Sequence, residues 1–156
     1  MSTGTRTVDG LGAQGNWRAG VLGGVAGALV MGALVVTMNT PTIAVAIPSL
    51  YTLAPPQNPA AGLVVHAAHG AVLGVAFAGL AGVAGVDSLG RTVAGGVAWG
   101  VATWVLFAAL VMPLWLWAIG SPASPPFPNF APPSLLWHAV YGLVLGGVYA
   151  ATTEVV

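Results

Sequence analysis

The chain has 156 residues, of which 57% are hydrophobic and 4% charged, with three Lys plus Arg against three Asp plus Glu. So few charges cannot cover a soluble domain of this size, and the composition is that of an integral membrane protein. Zero net charge without a basic patch excludes nucleic acid as a partner, and the absence of Cys excludes disulfides, iron–sulfur clusters and thiolate metal sites.

In chain order, residues 1–17 carry Arg6 and Asp9 but no apolar core, so they read as a flexible cytoplasmic tail and not as a signal peptide. The first apolar run starts at Arg18 and ends near Met38, where Asn39-Thr40-Pro41 supplies a polar stop. The second runs from about Ala61 to Val86, followed by the tight polar turn Asp87-Ser88-Leu89-Gly90. The third runs from Arg91 to about Ile119, with a kink expected at Pro113, and the fourth from about Leu135 to Thr153. Four spans of about 20 residues with their connections use nearly all of this length, leaving none of it for a soluble catalytic domain.

Two connections are rich in proline. Residues 39–60 hold Pro41, Pro48, Pro55, Pro56 and Pro59 around the apolar stretch Ile43 to Leu53, and residues 120–134 hold Pro122, Pro125, Pro126, Pro128, Pro132 and Pro133. This density is expected to forbid helix and sheet and to make both connections stiff lids, with Ile43 to Leu53 lying in the membrane interface or dipping into it. Neither contains Lys or Arg, whereas Arg6, Arg18 and Arg91 lie in the tail or near the turn between the second and third spans. By the cytoplasmic bias of Lys and Arg, both termini then face the cytoplasm of a cell-membrane protein, and Tyr51, Trp115, Trp117 and Trp137 fall near the outer boundary, where amphipathic rings prefer the headgroups.

Sliding the sequence against itself by 72 positions superimposes Leu63, His66, Ala67, Gly70, Val72, Leu73, Gly74 and Ala78 on Leu135, His138, Ala139, Gly142, Val144, Leu145, Gly146 and Ala150. The same offset places Val21, Gly23, Gly24, Val25 and Ala26 on Val93, Gly95, Gly96, Val97 and Ala98, and Pro41 on Pro113. Roughly a third of the paired positions are identical, against about an eighth expected by chance from a composition this rich in Ala, Gly and Val. The sequence therefore reads as a tandem duplication, with repeat 1 over 18–86 and repeat 2 over 87–156. Two spans per repeat is an even number, so the copies keep one orientation and are expected to be related by a pseudo-two-fold axis along the membrane normal.

His66, Gly70, Gly74 and Phe77 recur at i, i+4, i+8 and i+11, as do His138, Gly142, Gly146 and Tyr149, so each set forms one helical stripe. Small residues at this spacing let a second backbone approach. Gly70, Gly74, Gly142 and Gly146, with Gly23, Gly24, Gly95 and Gly96, are the expected packing face, with a histidine about one turn below the outer surface.

Histidines inside a membrane are candidate functional groups. His66 and His138 either pin the lids by hydrogen bonding or form a bis-histidine haem b site for electron transfer. Haem requires that the glycines of the two histidine-bearing helices do not pack on one another. A copper site or small-solute handling is a lesser alternative, with Met38 or Met112 supplying a thioether beside the imidazoles. His69 falls on Tyr141 in the repeat and is expected to reach it across the axis. No Asp or Glu lies in a span, and no nucleophile elbow, HExxH, P-loop or dinucleotide fingerprint is present, so the chain is expected not to be an enzyme.

The pattern Leu136-Trp137-His138-x-x-x-Gly142-x-x-x-Gly146-x-x-Tyr149, with its earlier partner His66-x-x-x-Gly70-x-x-x-Gly74-x-x-Phe77, resembles small four-helix membrane proteins of unknown function found mainly in halophilic archaea. The resemblance covers most of the chain and implies no activity or ligand. The sequence thus specifies an all-α four-transmembrane-helix bundle of two tandem two-helix repeats, a non-enzymatic accessory or structural subunit. Its partners are the lipid bilayer and either a membrane protein or further copies of itself.

Overall fold

The computed structural model describes residues 15–156, so most of the expected tail lies outside the described residues. Its last residues do not belong to a tail. Asn16 is the N-cap of α1 (Trp17–Met38), accepting from the N–H groups of Arg18 and Ala19 at 3.0 and 3.2 Å. After Asn39 the chain re-enters helical geometry as a π turn, Thr42–Ala46, and a short α2 (Ile47–Ser49). There follow α3 (Pro59–Val83), α4 (Leu89–Thr103), a π-helical stretch (Trp104–Val111), α5 (Met112–Ala118) and α6 (Pro132–Thr152). Among the described residues there is no strand.

Among the described residues four helices are long and apolar enough to cross a membrane: Trp17–Met38, Pro59–Val83, Leu89–Ala118 and Pro132–Thr152. The third runs through α4, the π stretch and α5. The 25 residues of α3 alone give a rod of about 37 Å, more than the hydrocarbon core requires. Hydroxyls in these helices bond to their own backbone: Thr37, Thr92, Thr103 and Thr152 each donate to a carbonyl three or four residues earlier, as an apolar solvent demands.

The expectation that proline forbids helix in residues 39–60 is corrected. Helical geometry carries on through Pro48, and Ile43, Ala44, Ala46, Ile47, Pro48 and Ser49 are buried. Proline removes the N–H that would bond the carbonyl four residues back, and both connections supply a replacement. Pro48 frees the Ala44 carbonyl, which accepts from Asn58 N–H at 2.8 Å. Pro113 frees the Ala109 carbonyl, which accepts from Asn129 N–H at 2.9 Å. Before Pro113, where a kink was expected, the helix passes through the π stretch Trp104–Val111.

Helix α1 packs on α3 and α6, and α4 packs on α6, whereas α3 and α4 barely touch. The close contacts run through glycine. A Cβ added at Gly20 would lie 2.6 Å from the Gly74 carbonyl oxygen, and one at Gly24 would collide with that of Gly70. Across the other pair, a Cβ at Gly146 would lie 2.8 Å from the Thr92 carbonyl oxygen, and one at Gly96 would collide with that of Gly142. The α1–α6 seam is equally tight, with Gly23 against Leu145 and Gly27 against Tyr141, each 2.8 Å from the partner's carbonyl oxygen by the same measure.

The ends of the chain meet at the foot of this seam. Asn16 Nδ2 donates to the carbonyls of Thr153 and Val156 at 2.9 and 2.7 Å, and Asn16 N–H donates to Tyr149 Oη at 3.2 Å. The two proline-rich connections lie at the opposite end of the bundle.

Candidate functional site

At the connection end the helices enclose a cavity of about 890 Å³ whose lining includes all three histidines, His66, His69 and His138. Where Gly27 lets α1 and α6 close, the residue 72 positions on is Trp99, whose indole N–H donates to the Leu73 carbonyl at 3.1 Å. The ring stands between α4 and α3, and Gly95 in the same seam makes only ordinary contact with Phe77, at 3.8 Å from an added Cβ. Thr103, one turn further along, already lines the cavity.

Above that level the walls are Leu73 and Gly70 of α3, Ala28, Met31 and Val35 of α1, Phe107 and Ala108 of the π stretch, and Trp137 and Tyr141 of α6. Residues of both proline-rich connections roof it, and Trp115 of α5 ties the roof to the wall by donating its indole N–H to the Leu50 carbonyl at 3.0 Å. Val72 on α3 and Phe107 and Val111 on the π stretch line the cavity and are also exposed, so the cavity reaches the outside of the bundle between these two elements. Among the described residues no Lys, Arg, Asp or Glu lines it.

His66 and His138 start 7 and 6 residues after the first residues of α3 and α6, Pro59 and Pro132, which places both about 10 Å, nearly two turns, from those ends. Both helices begin earlier than their apolar runs suggest, so the histidines lie deeper than one turn. Their surroundings differ. His138 Nδ1 donates to the Ser134 carbonyl at 2.7 Å, so Nδ1 carries a proton and Nε2 is the ring nitrogen left over. The His66 ring lies over Gly32 of α1, 3.3 Å from an added Cβ there, and its Nε2 is buried without a hydrogen-bond partner. At the position 72 residues after Gly32 stands Trp104, whose Nε1 is likewise buried without a partner.

His69 does not reach Tyr141, correcting that expectation. Its Nε2 shares a hydrogen bond of 2.8 Å with Tyr51 Oη, while Tyr141 Oη donates to the Gly70 carbonyl at 3.0 Å. A register argument within the spans could not have found Tyr51, because it is delivered by the proline-rich connection. Trp137 is buried, and its indole N–H donates to Met38 Sδ at 3.1 Å. Met38 is not among the residues that line the cavity, whereas Met112 is. Among the described residues no group of three or more His, Asp or Glu side chains converges on a metal-sized point.

The glycines expected to pack are placed as follows. Gly70 and Gly74 face Gly20, Gly24 and Ala28 of α1, while Gly142 and Gly146 face α4 at Gly96, Thr92 and Val93. Gly23 faces α6, and Gly95 stands apart from any close contact. The two histidine-bearing helices therefore do not meet through their glycines.

Comparison of the chain with protein-family models, with curated proteins and with solved structures gives no match.

Proposed function

We propose that this chain is a multi-pass protein of the cell membrane and a non-enzymatic accessory subunit that holds a small lipid-soluble molecule in the outer half of its bundle. One observation carries the reading: all three histidines line a single apolar cavity of about 890 Å³, a size suited to a ligand of drug-like dimensions. Apart from Arg18 and Arg91 in the first turns of their helices, these are the only Lys, Arg, His, Asp or Glu side chains in the four long helices. Polar groups at such depth are costly, and a bound molecule gives them a use.

The bundle is two tandem two-helix repeats about a pseudo-two-fold axis along the membrane normal, a reading supported by Gly24 against Gly70 and Gly96 against Gly142, 72 positions apart. Arg18 and Arg91 at the end opposite the cavity support cytoplasmic termini. Kinship with the small four-helix proteins of halophilic archaea rests on the His-x-x-x-Gly-x-x-x-Gly pattern. Native mass spectrometry of the protein released from native-membrane nanodiscs tests the main reading. An added small-molecule mass, lost when Ala108→Trp fills the cavity, is expected; a bare chain at every activation energy would leave a purely structural subunit.

A second reading, haem b between His66 and His138, is favoured by the direction of the glycine stripes, which face α1 and α4 and leave the space between the histidine-bearing helices free of a tight backbone contact. His138 Nε2 is available as a ligand, whereas His66 would have to swing off Gly32. Its test is the oxidised and dithionite-reduced visible spectrum. A Soret band with sharp reduced bands, lost in His66→Ala and in His138→Ala, supports haem, and a featureless spectrum from haem-replete cells rejects it.

A further inference from the structure

The opening of the cavity between α3 and the π stretch has a chemistry that narrows what can enter. It faces the lipid side of the bundle, since its lips Val72, Phe107 and Val111 are exposed apolar side chains on spanning helices. A ligand arriving there comes from the bilayer. Among the described residues no cationic side chain lines the site to receive a phosphate or carboxylate, and no anionic one to receive an amine, so the ligand is uncharged.

The hydrogen-bonding equipment is specific. Tyr51 Oη and His69 Nε2 are 2.8 Å apart and both residues line the cavity. If the tyrosine donates, the neutral histidine carries its remaining hydrogen on Nδ1; if the histidine donates, the tyrosine hydroxyl hydrogen is left over. Either way the pair keeps one unspent donor. His138, with Nδ1 spent on Ser134, adds an acceptor at Nε2. Aromatic walls at Phe107, Trp115, Trp137 and Tyr141 suit a flat ring, which stacks or meets them edge-on.

We propose that the seam between α3 and the π stretch is an entry from the membrane for a neutral, carbonyl-bearing ring lipid of the quinone class, whose carbonyl accepts a hydrogen bond from the Tyr51–His69 pair. The proposal rests on the cavity being a ligand site. It makes Trp99 the feature that creates the site, by holding α3 and α4 apart where Gly27 lets α1 and α6 close.

The probe is 2-methyl-1,4-naphthoquinone, titrated into nanodiscs carrying the full chain while indole fluorescence is followed, because Trp115 and Trp137 in the cavity wall are quenched by a bound quinone. Saturable quenching is expected. Tyr51→Phe and His69→Leu should each weaken it about tenfold, the usual effect of losing one buried hydrogen bond. Two variants on opposite lips, Val111→Trp and Val72→Trp, should abolish it, while Val30→Trp on the exposed face of α1 should not. Decanol and palmitate serve as competitors. If decanol displaces the naphthoquinone at equal concentration and Tyr51→Phe changes nothing, the quinone assignment falls and the cavity stands as a general apolar site. Preferential displacement by palmitate overturns the uncharged-ligand argument in the same limited way. If neither the naphthoquinone nor decanol saturates and both lip variants behave as the wild type, the cavity is not a ligand site and both readings fall.

Discussion

Single side chains decide where this bundle is tight and where it is open. In a bilayer, apolar area drives helices together only weakly, so backbone approach through glycine supplies van der Waals contact and a methyl group at the wrong place is felt directly. Gly70→Ala and Gly142→Ala put a Cβ into the carbonyls of Gly24 and Gly96 and are expected to cost about 1–3 kcal/mol of bundle stability. Gly79→Ala and Gly147→Ala, where nothing lies within 4 Å of the new Cβ, are expected to be neutral or slightly stabilising. Thermal unfolding in detergent, followed by circular dichroism, separates the two classes. Gly95→Ala belongs with the tolerated pair, since its nearest neighbour is 3.8 Å away; a loss as large as that of Gly142→Ala would show that glycine content, and not measured approach, sets the penalty. At this scale the sequence was informative about the histidines and the glycine stripes, because both repeat at helical spacing. It could not pair Tyr51 with His69 or Met38 with Trp137, because the partners sit on other elements. Trp99 was legible in principle: the offset that aligns the histidines also sets this indole against Gly27.

At the scale of elements, the proline-rich connections are the instructive case. Proline density argues against regular structure only if the carbonyls it orphans stay unpaired. Here the carbonyls freed by Pro48 and Pro113 are collected by distant N–H groups, Ala44 by Asn58 and Ala109 by Asn129, and helical geometry carries on past both prolines. No local pattern could reveal this, because the donors lie 14 and 20 positions from their acceptors in a different connection segment each time. The four long apolar helices, by contrast, were readable from hydropathy alone, with starts displaced by one to three residues wherever a proline or capping asparagine extends the helix. The pairing carries a prediction. The amide protons of Asn58 and Asn129, though outside any helix, are expected to exchange with solvent more slowly than those of Gln57 and Phe130. Pro113→Ala restores a helical N–H that competes for the Ala109 carbonyl, and should speed exchange at Asn129 while leaving Asn58 unchanged. Hydrogen exchange read by nuclear magnetic resonance checks both; equal rates at all four amides would mean that the connections do not satisfy the helices.

Across the whole molecule, the cavity and the chain's ends lie at opposite poles. Asn16 is bonded to Thr153 and Val156 at one pole, and Tyr51, Trp115 and Asn129 close the other. Four spans return the chain to the side on which it began, so the connection between α3 and α4, with Asp87 and Arg91 paired at 3.7 Å, shares the pole of Asn16. A chain with three Lys plus Arg offers a small charge difference to the insertion machinery, yet Arg18 and Arg91 lie at that one pole and neither proline-rich connection carries any. The absence of native Cys makes the orientation directly measurable. In intact cells a membrane-impermeant maleimide should label Phe127→Cys, in the second proline-rich connection, and should label Ser88→Cys and Val155→Cys only after permeabilisation. The reverse pattern would invert the bundle, set the roof over the cavity in the cytoplasm, and require any ligand to enter from the inner leaflet; labelling of all three sites in intact cells would mean a mixed population, the outcome expected when three cations are too few to choose. The side opening itself would be unaffected by inversion, because its lips Val72, Phe107 and Val111 belong to the long helices and not to either pole.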